Sequence, residues 1–227
     1  MPTIAIIGAG PGLGQAIART FGSHGFGVAL LARDRAKLGD LAGKLTAEGI
    51  EAAAFPADVL DRAALVRALG EAAARFGGID VLEYSPAGTF GSTALTVPSE
   101  TEPAHVQHEL EFQLYGAIAA TRAVLPAMRE AGAGTLLYTT GAGSIAPVPQ
   151  LGNVNAAAAA LRNWVLNLHR ELDGTGVQAA HVGIDAVIGS DDAAIPGFAT
   201  APAEQISPLY WELHTTDRDQ SERIFRA

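Results

Sequence analysis

The chain has 227 residues, 48% of them hydrophobic, which is enough to bury the core of one α/β domain and too few for two domains of ordinary size. A formal net charge of -9 argues against nucleic acid or an anionic membrane as the main partner. Cysteine is absent, which excludes disulfides, thiolate metal sites and a cysteine nucleophile. The first apolar run, Thr3–Ile7, is short and has no basic region before it, so we expect no signal peptide, no membrane span and a cytoplasmic protein.

A buried strand followed by a glycine-rich turn opens the chain. The β-branched run Thr3–Ile7 is typical of a strand covered on both faces, and helical spacing of apolar residues begins after the turn. A helix N-terminus presents unpaired amides and the positive end of the helix dipole, so the turn predicts a pyrophosphate site. The alternative is a tight turn with nothing bound. The candidate binding residues are Gly8, Gly10, Pro11, Gly12, Leu13 and Gly14.

The second predicted strand, Val28–Ala32, ends at Arg33. Dinucleotide-binding domains read the adenosine ribose at this point, with an acid for the hydroxyls of NAD or an arginine for the 2'-phosphate of NADP. Arg33 therefore favours NADP(H) over NAD(H) as the cofactor. The alternative is a solvated arginine beside Asp34.

Strands and helices alternate through the rest of the chain, which predicts a single doubly wound, Rossmann-like α/β domain over 1–227 with a central parallel sheet. Residues 190–227 form a divergent C-terminal segment of that domain. The predicted elements in order are a helix over 35–47, a strand over 50–55, a helix over 62–76, a strand over 78–84, a loop over 89–103, a helix over 104–131 disturbed at Pro126, a strand over 134–140, a helix over 151–172, a strand over 176–184, a flap over 191–202, a helix over 204–214 and an edge strand over 221–225.

The glycine spacing resembles that of the short-chain dehydrogenase/reductase family, because Gly8, Gly12 and Gly14 fit the pattern G-x-x-x-G-x-G. The resemblance covers about residues 1–190 and supports NADP(H) through the basic residue after the second strand. It implies an adenine contact at Asp58 and Val59, although Asp58 could also be the N-cap of the next helix.

The turn after the fourth strand also resembles the family, in part. Its Asn-Asn-Ala-Gly signature is replaced by Ser85-Pro86-Ala87-Gly88, in which only the last two residues are kept. The resemblance implies that Ser85, Ala87 and Gly88 lie close to the adenosine ribose.

The catalytic tetrad of the family is substituted in this chain. By resemblance, carbonyl reduction needs a tyrosine acid, a lysine, a serine and an asparagine. Aligning residues 159–164 with the family's segment after the lysine puts Ala158 at the lysine, Val154 at the tyrosine and Gly141 at the serine, and Gln113 stands at the asparagine. Both lysines of the chain lie much earlier, so no other register restores the pair. We identify no catalytic residue from the pattern.

Other polar residues offer only weak substitutes. Tyr138 and His181 each lie in a predicted buried strand, where a satisfied core residue is the more common outcome. His105 and His108 are three apart on a helix, but no third ligand is evident, so we predict a solvated face and no metal.

Two functions remain open from the sequence. The first is an NADP(H)-binding oxidoreductase of atypical chemistry acting on an unknown small molecule, and the second is a catalytically inactive homologue that serves as a sensor or partner subunit. The two long helices and Trp164 predict a homodimer or homotetramer, unless that face simply packs on the sheet.

Overall fold

Short apolar runs form strands in the computed structural model, which describes residues 1–87, 94–189 and 198–227. Most of these strands are buried on both faces, as expected for a parallel sheet covered by helices. The strands are β1 (Thr3–Ile7), β2 (Gly27–Leu31), β3 (Ala52–Ala54), β4 (Val81–Tyr84), β5 (Gly134–Gly141), β6 (Val177–Asp185), β7 (Val187–Ile188), β8 (Thr200–Ala201) and β9 (Glu222–Arg226).

Seven strands form the central sheet in the order β3-β2-β1-β4-β5-β6-β9, and every pair in it is parallel. The strand order reverses between β1 and β4, which opens a crevice at the carboxyl ends of the strands where ligands bind in doubly wound folds. The predicted fold class is therefore confirmed, and so is the edge strand near residue 221. β7 and β8 pair separately as a small two-stranded sheet.

Helices cover both faces of the central sheet. They are α1 (Leu13–Ser23), α2 (Arg35–Ala47), α3 (Arg62–Phe76), α4 (Pro103–Leu110), α5 (Gly116–Ala131), α6 (Gly152–Glu171), α7 (Ala203–Ile206) and α8 (Pro208–Thr215). One apolar cluster joins the sheet to α3, α5 and α6, and a second cluster on the opposite face joins it to α1, α2, α7 and α8.

The long helix predicted over 104–131 is interrupted at a different place than expected. A π-helical turn, Glu111–Tyr115, separates α4 from α5, whereas α5 continues through Pro126. The hydroxyl of Tyr84 donates to the backbone carbonyl of Phe112 at 2.6 Å, which gives this carbonyl a partner in the widened turn. Gly116 allows the approach, because a Cβ there would lie 2.2 Å from the Tyr84 hydroxyl.

The segment beyond β6 differs from its prediction in two respects. β8 lies inside the predicted flap, where no strand was expected, and pairs with β7. The helix expected over 204–214 is two shorter helices, α7 and α8, because Pro208 cannot donate an amide in a continuous helix. Most of the predicted flap lies outside the described residues. No helix within the described ranges is long and apolar enough to cross a membrane.

Candidate active site

The turn between β1 and α1 is packed as tightly as a backbone cradle requires. Gly8 has a φ of +99°, and a Cβ on it would lie 2.5 Å from the backbone oxygen of Ser85. The amides of Gly8 and Ala9 both donate to the carbonyl of Leu31, at 2.9 and 3.1 Å. Gly14 packs against the same turn, since its added Cβ would lie 2.9 Å from the Cα of Ala9. Glycine is therefore required at positions 8 and 14 for the turn itself.

Gly12 faces open space instead. A Cβ on Gly12 would meet no protein atom within 4 Å, and Pro11 and Gly12 are both exposed. Gly12 is the N-cap of α1, where no side chain caps the helix and the first turn has no acid. The uncapped amides and the open space fit a phosphate group. Gly10 accepts from the amide of Gln15 at 2.9 Å, and Leu13 is buried in the core under α1.

Arg33 lies exposed just beyond β2. Its guanidinium has no ion pair with any residue in the described parts of the chain. Asp34 is engaged elsewhere, because its carboxylate caps α2 by accepting from the amides of Ala36 and Lys37 at 3.0 and 3.1 Å. These bonds, that of Lys37 foremost, hold the pKa of Asp34 below its usual value. An exposed Arg33 without an ion pair to Asp34 fits both interpretations of this residue, the phosphate-binding arginine and the solvated arginine beside Asp34.

Asp58 and Val59 lie beside Arg33 at the same end of the sheet, since the amide of Ala57 donates to the carbonyl of Ala32 at 3.0 Å. Asp58 is half-buried and accepts from the amide of Leu60 at 3.0 Å. The predicted N-cap role of Asp58 is wrong. Asp61 caps α3 instead, by accepting from the amide of Ala64 at 2.9 Å. Asp58 therefore lies near Arg33 and caps no helix.

The turn after β4 rests on a buried carboxyl group. The hydroxyls of Ser85 and Thr139 donate to the two oxygens of Glu83 at 2.9 and 3.1 Å, and Thr139 also bonds the Tyr210 hydroxyl at 2.7 Å. Glu83 is fully buried, and this burial raises its pKa to about 8 despite the two hydroxyl donors. Ala87 is exposed beyond Ser85, and the predicted contact at Gly88 lies outside the described residues.

The four positions that the resemblance aligns with the family's tetrad provide one polar side chain. Val154 and Ala158 lie one turn apart on α6, half-buried and buried, and Gly141 is exposed at the end of β5. Gln113, in the π-helical turn, donates to Glu109 at 2.9 Å and to the carbonyl of Val154 at 3.4 Å. Gln113 thus links α4 to α6 but offers no acid.

A hydrogen-bonded chain runs beneath this region from β5 to β9. The hydroxyl of Thr140 lies 2.8 Å from Nε2 of His181, and Nδ1 of His181 lies 2.9 Å from Oε1 of Glu222. Arg162 of α6 pairs with both Glu222 oxygens at 2.6 and 2.9 Å. The Thr140 hydroxyl is also 2.9 Å from that of Ser144. His181 is fully buried and satisfied on both ring nitrogens.

The remaining candidates have structural roles. The hydroxyl of Tyr138 bonds that of Thr121 inside the core, and burial raises the pKa of Tyr138 well above its usual value. Nδ1 of His105 accepts from the backbone amide of Glu102 at the start of α4. No cluster of three metal ligands occurs in the part of the chain that the structure describes.

Sequence reasoning missed Glu83, which accepts from Ser85 and Thr139, and it missed Glu222, which bonds His181, and Arg162, which bonds Glu222. Glu83 could have been noticed as a charged residue in an otherwise apolar strand. Glu222 and Arg162 gave no such indication, because each is an ordinary surface-type residue far from His181 in sequence.

Comparisons with known proteins agree with this geometry. A family model described as short chain dehydrogenase matches residues 2–188. A short chain dehydrogenase of Pseudocercospora fijiensis is 27% identical over 201 residues, which covers 85% of this chain and 63% of that relative. The chain thus spans less than two thirds of that relative's length.

Solved structures share the fold over almost the whole chain. A metagenomic short-chain oxidoreductase in complex with NADP has a TM-score of 0.84 at 26% identity, covering 99% of this chain and 96% of its own. A 3-oxoacyl-[acyl-carrier protein] reductase from Brucella melitensis with bound NAD also has a TM-score of 0.84, at 20% identity, covering 98% of this chain and 88% of its own. Similar structures therefore include both NADP and NAD complexes.

Proposed function

This chain belongs to the short-chain dehydrogenase family, and from that premise we propose that it is an NADP(H)-dependent oxidoreductase of atypical chemistry that acts on a small molecule. The observation that carries the proposal is the open, uncapped N-terminus of α1 at Gly12, beside a turn that Gly8 and Gly14 keep free of side chains. A pyrophosphate needs this kind of surface, made of backbone amides with room for the phosphate oxygens.

The preference for NADP(H) over NAD(H) is supported by Arg33. This guanidinium has no carboxylate partner among the described residues and lies where the adenosine ribose would be read, so it can form charge-assisted bonds to a 2'-phosphate. Asp58 and Val59 would border the adenine, and Ser85 and Ala87 the ribose.

The cofactor would supply or accept a hydride, and the protein would hold it. The α1 N-terminus would orient the pyrophosphate, while the β4 turn, braced by Glu83, would keep the ribose against Gly8. Chemistry must be atypical because Gly141, Val154 and Ala158 carry no proton donor.

A second function is favoured by the same substitutions. A member that binds nucleotide without turnover, as a sensor or a partner subunit, needs the adenosine half of the crevice and none of the tetrad. Such a protein would bind the cofactor as tightly as the first proposal requires.

Calorimetric titration of NADPH and NADH tests the cofactor proposal directly. We expect tighter binding of NADPH, and absence of binding by both would refute it. A panel of ketones, aldehydes and secondary alcohols, followed by NADPH absorbance, then separates the two functions. Turnover of any of these compounds supports the oxidoreductase.

Self-association is proposed through the outer faces of α5 and α6. The exposed side of the alanine run, Ala156 and Ala159, and the half-buried Ile118 and Ala119 support a flat face of small side chains. Trp164 does not belong to it, because its ring packs edge-on to Tyr138 at 5.6 Å. Light scattering at micromolar concentration should detect a dimer or tetramer, and a monomer would contradict the proposal.

A further inference from the structure

We propose that Thr140, His181 and Glu222 form a proton relay that acts as the general base for oxidation of a secondary alcohol. The inference rests on the proposed binding of NADP(H), and it assigns to these residues the role that the tetrad positions cannot fill.

The hydrogen bonds give the relay a direction. Glu222, as a carboxylate, can only accept, so Nδ1 of His181 carries the ring proton and donates it across 2.9 Å. Nε2 is then the unprotonated nitrogen and accepts from the Thr140 hydroxyl at 2.8 Å. The Gly141 carbonyl, at 3.0 Å, is a competing acceptor for the single Thr140 proton. When that proton is directed to His181, the Thr140 oxygen accepts from a hydroxyl, a place that Ser144 fills at 2.9 Å and that a substrate alcohol would take over. Hydroxyl, imidazole and carboxylate in this order form the arrangement that activates a hydroxyl group for proton transfer.

The surrounding charges keep the relay in this state. The bidentate bonds from Arg162 are the main reason that the pKa of Glu222 is lowered, which holds it as an anion. Burial lowers the pKa of His181, against the opposing effect of Glu222, so the imidazole is neutral at neutral pH. Glu222 from β9 and Arg162 from α6 are the charged groups that face His181 within the described ranges, and β5 contributes the Thr140 hydroxyl.

The relay ends at the carboxyl-terminal edge of the sheet, where ligands bind in doubly wound folds. Tyr138 pairs with Tyr84, the last residue of β4, and Tyr84 pairs with Ile7, the last residue of β1. Thr140 therefore lies two residues beyond the ends of these strands, next to the exposed Gly141, at the rim where a ligand of this fold binds. The face that carries Thr140 is the face that α6 covers, with Ala158 and Val154 on that helix. The buried Thr140 hydroxyl thus lies on the sheet face covered by the helix that carries the positions aligned with the missing tyrosine and lysine.

Oxidation of the alcohol passes one proton to His181 and one hydride to NADP⁺. The alcohol proton moves to the Thr140 oxygen while the Thr140 proton moves to Nε2 of His181, and the carbinol hydrogen leaves as hydride to NADP⁺. The C–O bond becomes a carbonyl, the alcohol is oxidised by two electrons and NADP⁺ is reduced to NADPH. The new imidazolium is balanced by Glu222, and after the carbonyl product leaves it returns the Nε2 proton through Thr140 to water in the vacated substrate site. A neutral imidazole suits this direction, because it can accept a proton but has none to give to an alkoxide at Nε2.

Thr140→Val removes the hydroxyl with little change in volume, and Thr140→Ser restores it. Thr121→Val is the matched control, since Thr121 is also buried with its hydroxyl bonded to another side chain. The assay follows NADP⁺ reduction with a panel of aliphatic, cyclic and benzylic secondary alcohols across pH. We expect turnover in the natural protein that rises with pH through a midpoint below the ordinary imidazole value. Thr140→Val should lower kcat about 10²- to 10⁴-fold, Thr140→Ser should recover most of it, and Thr121→Val should leave it unchanged.

Glu222→Gln tests whether Glu222 sets the pH dependence of turnover, which a purely structural role would leave unchanged. Glu222 is partly exposed, so this variant is expected to fold, and loss of its charge should shift the midpoint of the pH profile further down as well as lower kcat. Unchanged kcat in Thr140→Val, or no oxidation of any alcohol by protein that binds NADP⁺ in calorimetry, would overturn the relay and leave the cofactor proposal standing. Failure of the natural protein to bind NADP⁺ would overturn both.

Discussion

The two halves of the crevice differ in whether backbone or side chains would contact a cofactor. The half proposed for adenosine consists mainly of backbone, with the Gly8 turn, the α1 N-terminus and the β4 turn in close contact. Arg33, which has no ion pair with any described residue, adds a cation to it. The half proposed for nicotinamide would depend on single side chains, and Gly141, Val154 and Ala158 supply none that is polar. A backbone cradle survives as long as the fold and its glycines do, whereas a proton donor is lost with one substitution. Cofactor binding and family chemistry are therefore separable within one domain.

The largest effect should come from restoring the missing pair. Val154→Tyr with Ala158→Lys places a phenol and an ammonium one helical turn apart, and we expect carbonyl reduction to rise about 10²- to 10⁴-fold over the natural protein. The measurement is NADPH consumption with a ketone and aldehyde panel. Val154→Phe with Ala158→Met adds similar bulk without the donors, and an equal rise in that variant would show that proton donation is not the cause.

Filling the open space at Gly12 should weaken the adenosine half next most strongly. Gly12→Ala puts a methyl group where no protein atom lies within 4 Å, so the clash is with the phosphate. We expect NADPH affinity to fall about 10²-fold, or ~2.7 kcal/mol. Gly39→Ala, which also adds a methyl group in open space but on α2, is the control, and thermal unfolding of both variants checks that the fold persists. If Gly12→Ala bound NADPH as tightly as the natural protein does, the pyrophosphate would not lie at this turn.

Removing the Arg33 guanidinium should weaken the binding of NADPH more than that of NADH. Arg33→Ala is expected to weaken NADPH by about 1.5 to 3 kcal/mol and leave NADH nearly unchanged, because only NADPH carries the 2'-phosphate. Calorimetric titration of both cofactors measures this. Arg170→Ala, at an exposed arginine in the last turn of α6, should change neither. An equal loss for NADH would mean that Arg33 does not read the phosphate.

The last effect is on stability and not on binding or turnover, and it concerns the buried carboxyl beneath the β4 turn. Because the pKa of Glu83 is raised to about 8 in the folded protein, the folded state holds a proton that the unfolded state releases near pH 4.5. Stability should therefore fall as pH rises from about 4.5 to 8, by at most about 1.4 kcal/mol per pH unit from this group. Glu83→Gln should lack that contribution. Urea unfolding at pH 6 and pH 8 compares the two proteins, and equal changes with pH in both would contradict the buried, protonated carboxyl.

Local patterns were sufficient to predict most of the fold. Continuous apolar runs and glycine turns identified the strands of the central sheet and the cradle at Gly8 and Gly14, because these depend on neighbours in sequence. A predicted helix boundary is wrong where a side chain distant in sequence determines the local backbone. The π-helical turn forms where the Tyr84 hydroxyl meets Phe112 from another element, and no local pattern indicates that contact.

The site was only half predictable for the same reason. The adenosine half follows from strand ends, which the alternation of elements locates. Asp58 and Asp61 are both good N-cap residues, and only the actual start of α3 decides between them. The pairing of His181 with Glu222 spans 41 residues and exists only because β9 joins the sheet beside β6. Sequence alone leaves that neighbour undetermined.

The position of β9 links chemical competence to local unfolding. An edge strand is held by hydrogen bonds along one side only, so it can detach at a lower free energy than the strands inside the sheet. Detachment of β9 would carry Glu222 away from His181 while β1, β2 and β4 kept the cofactor cradle intact. The docking equilibrium of β9 then governs how many molecules can accept a substrate proton through the proposed relay. The global stability of the domain governs how many could bind nucleotide.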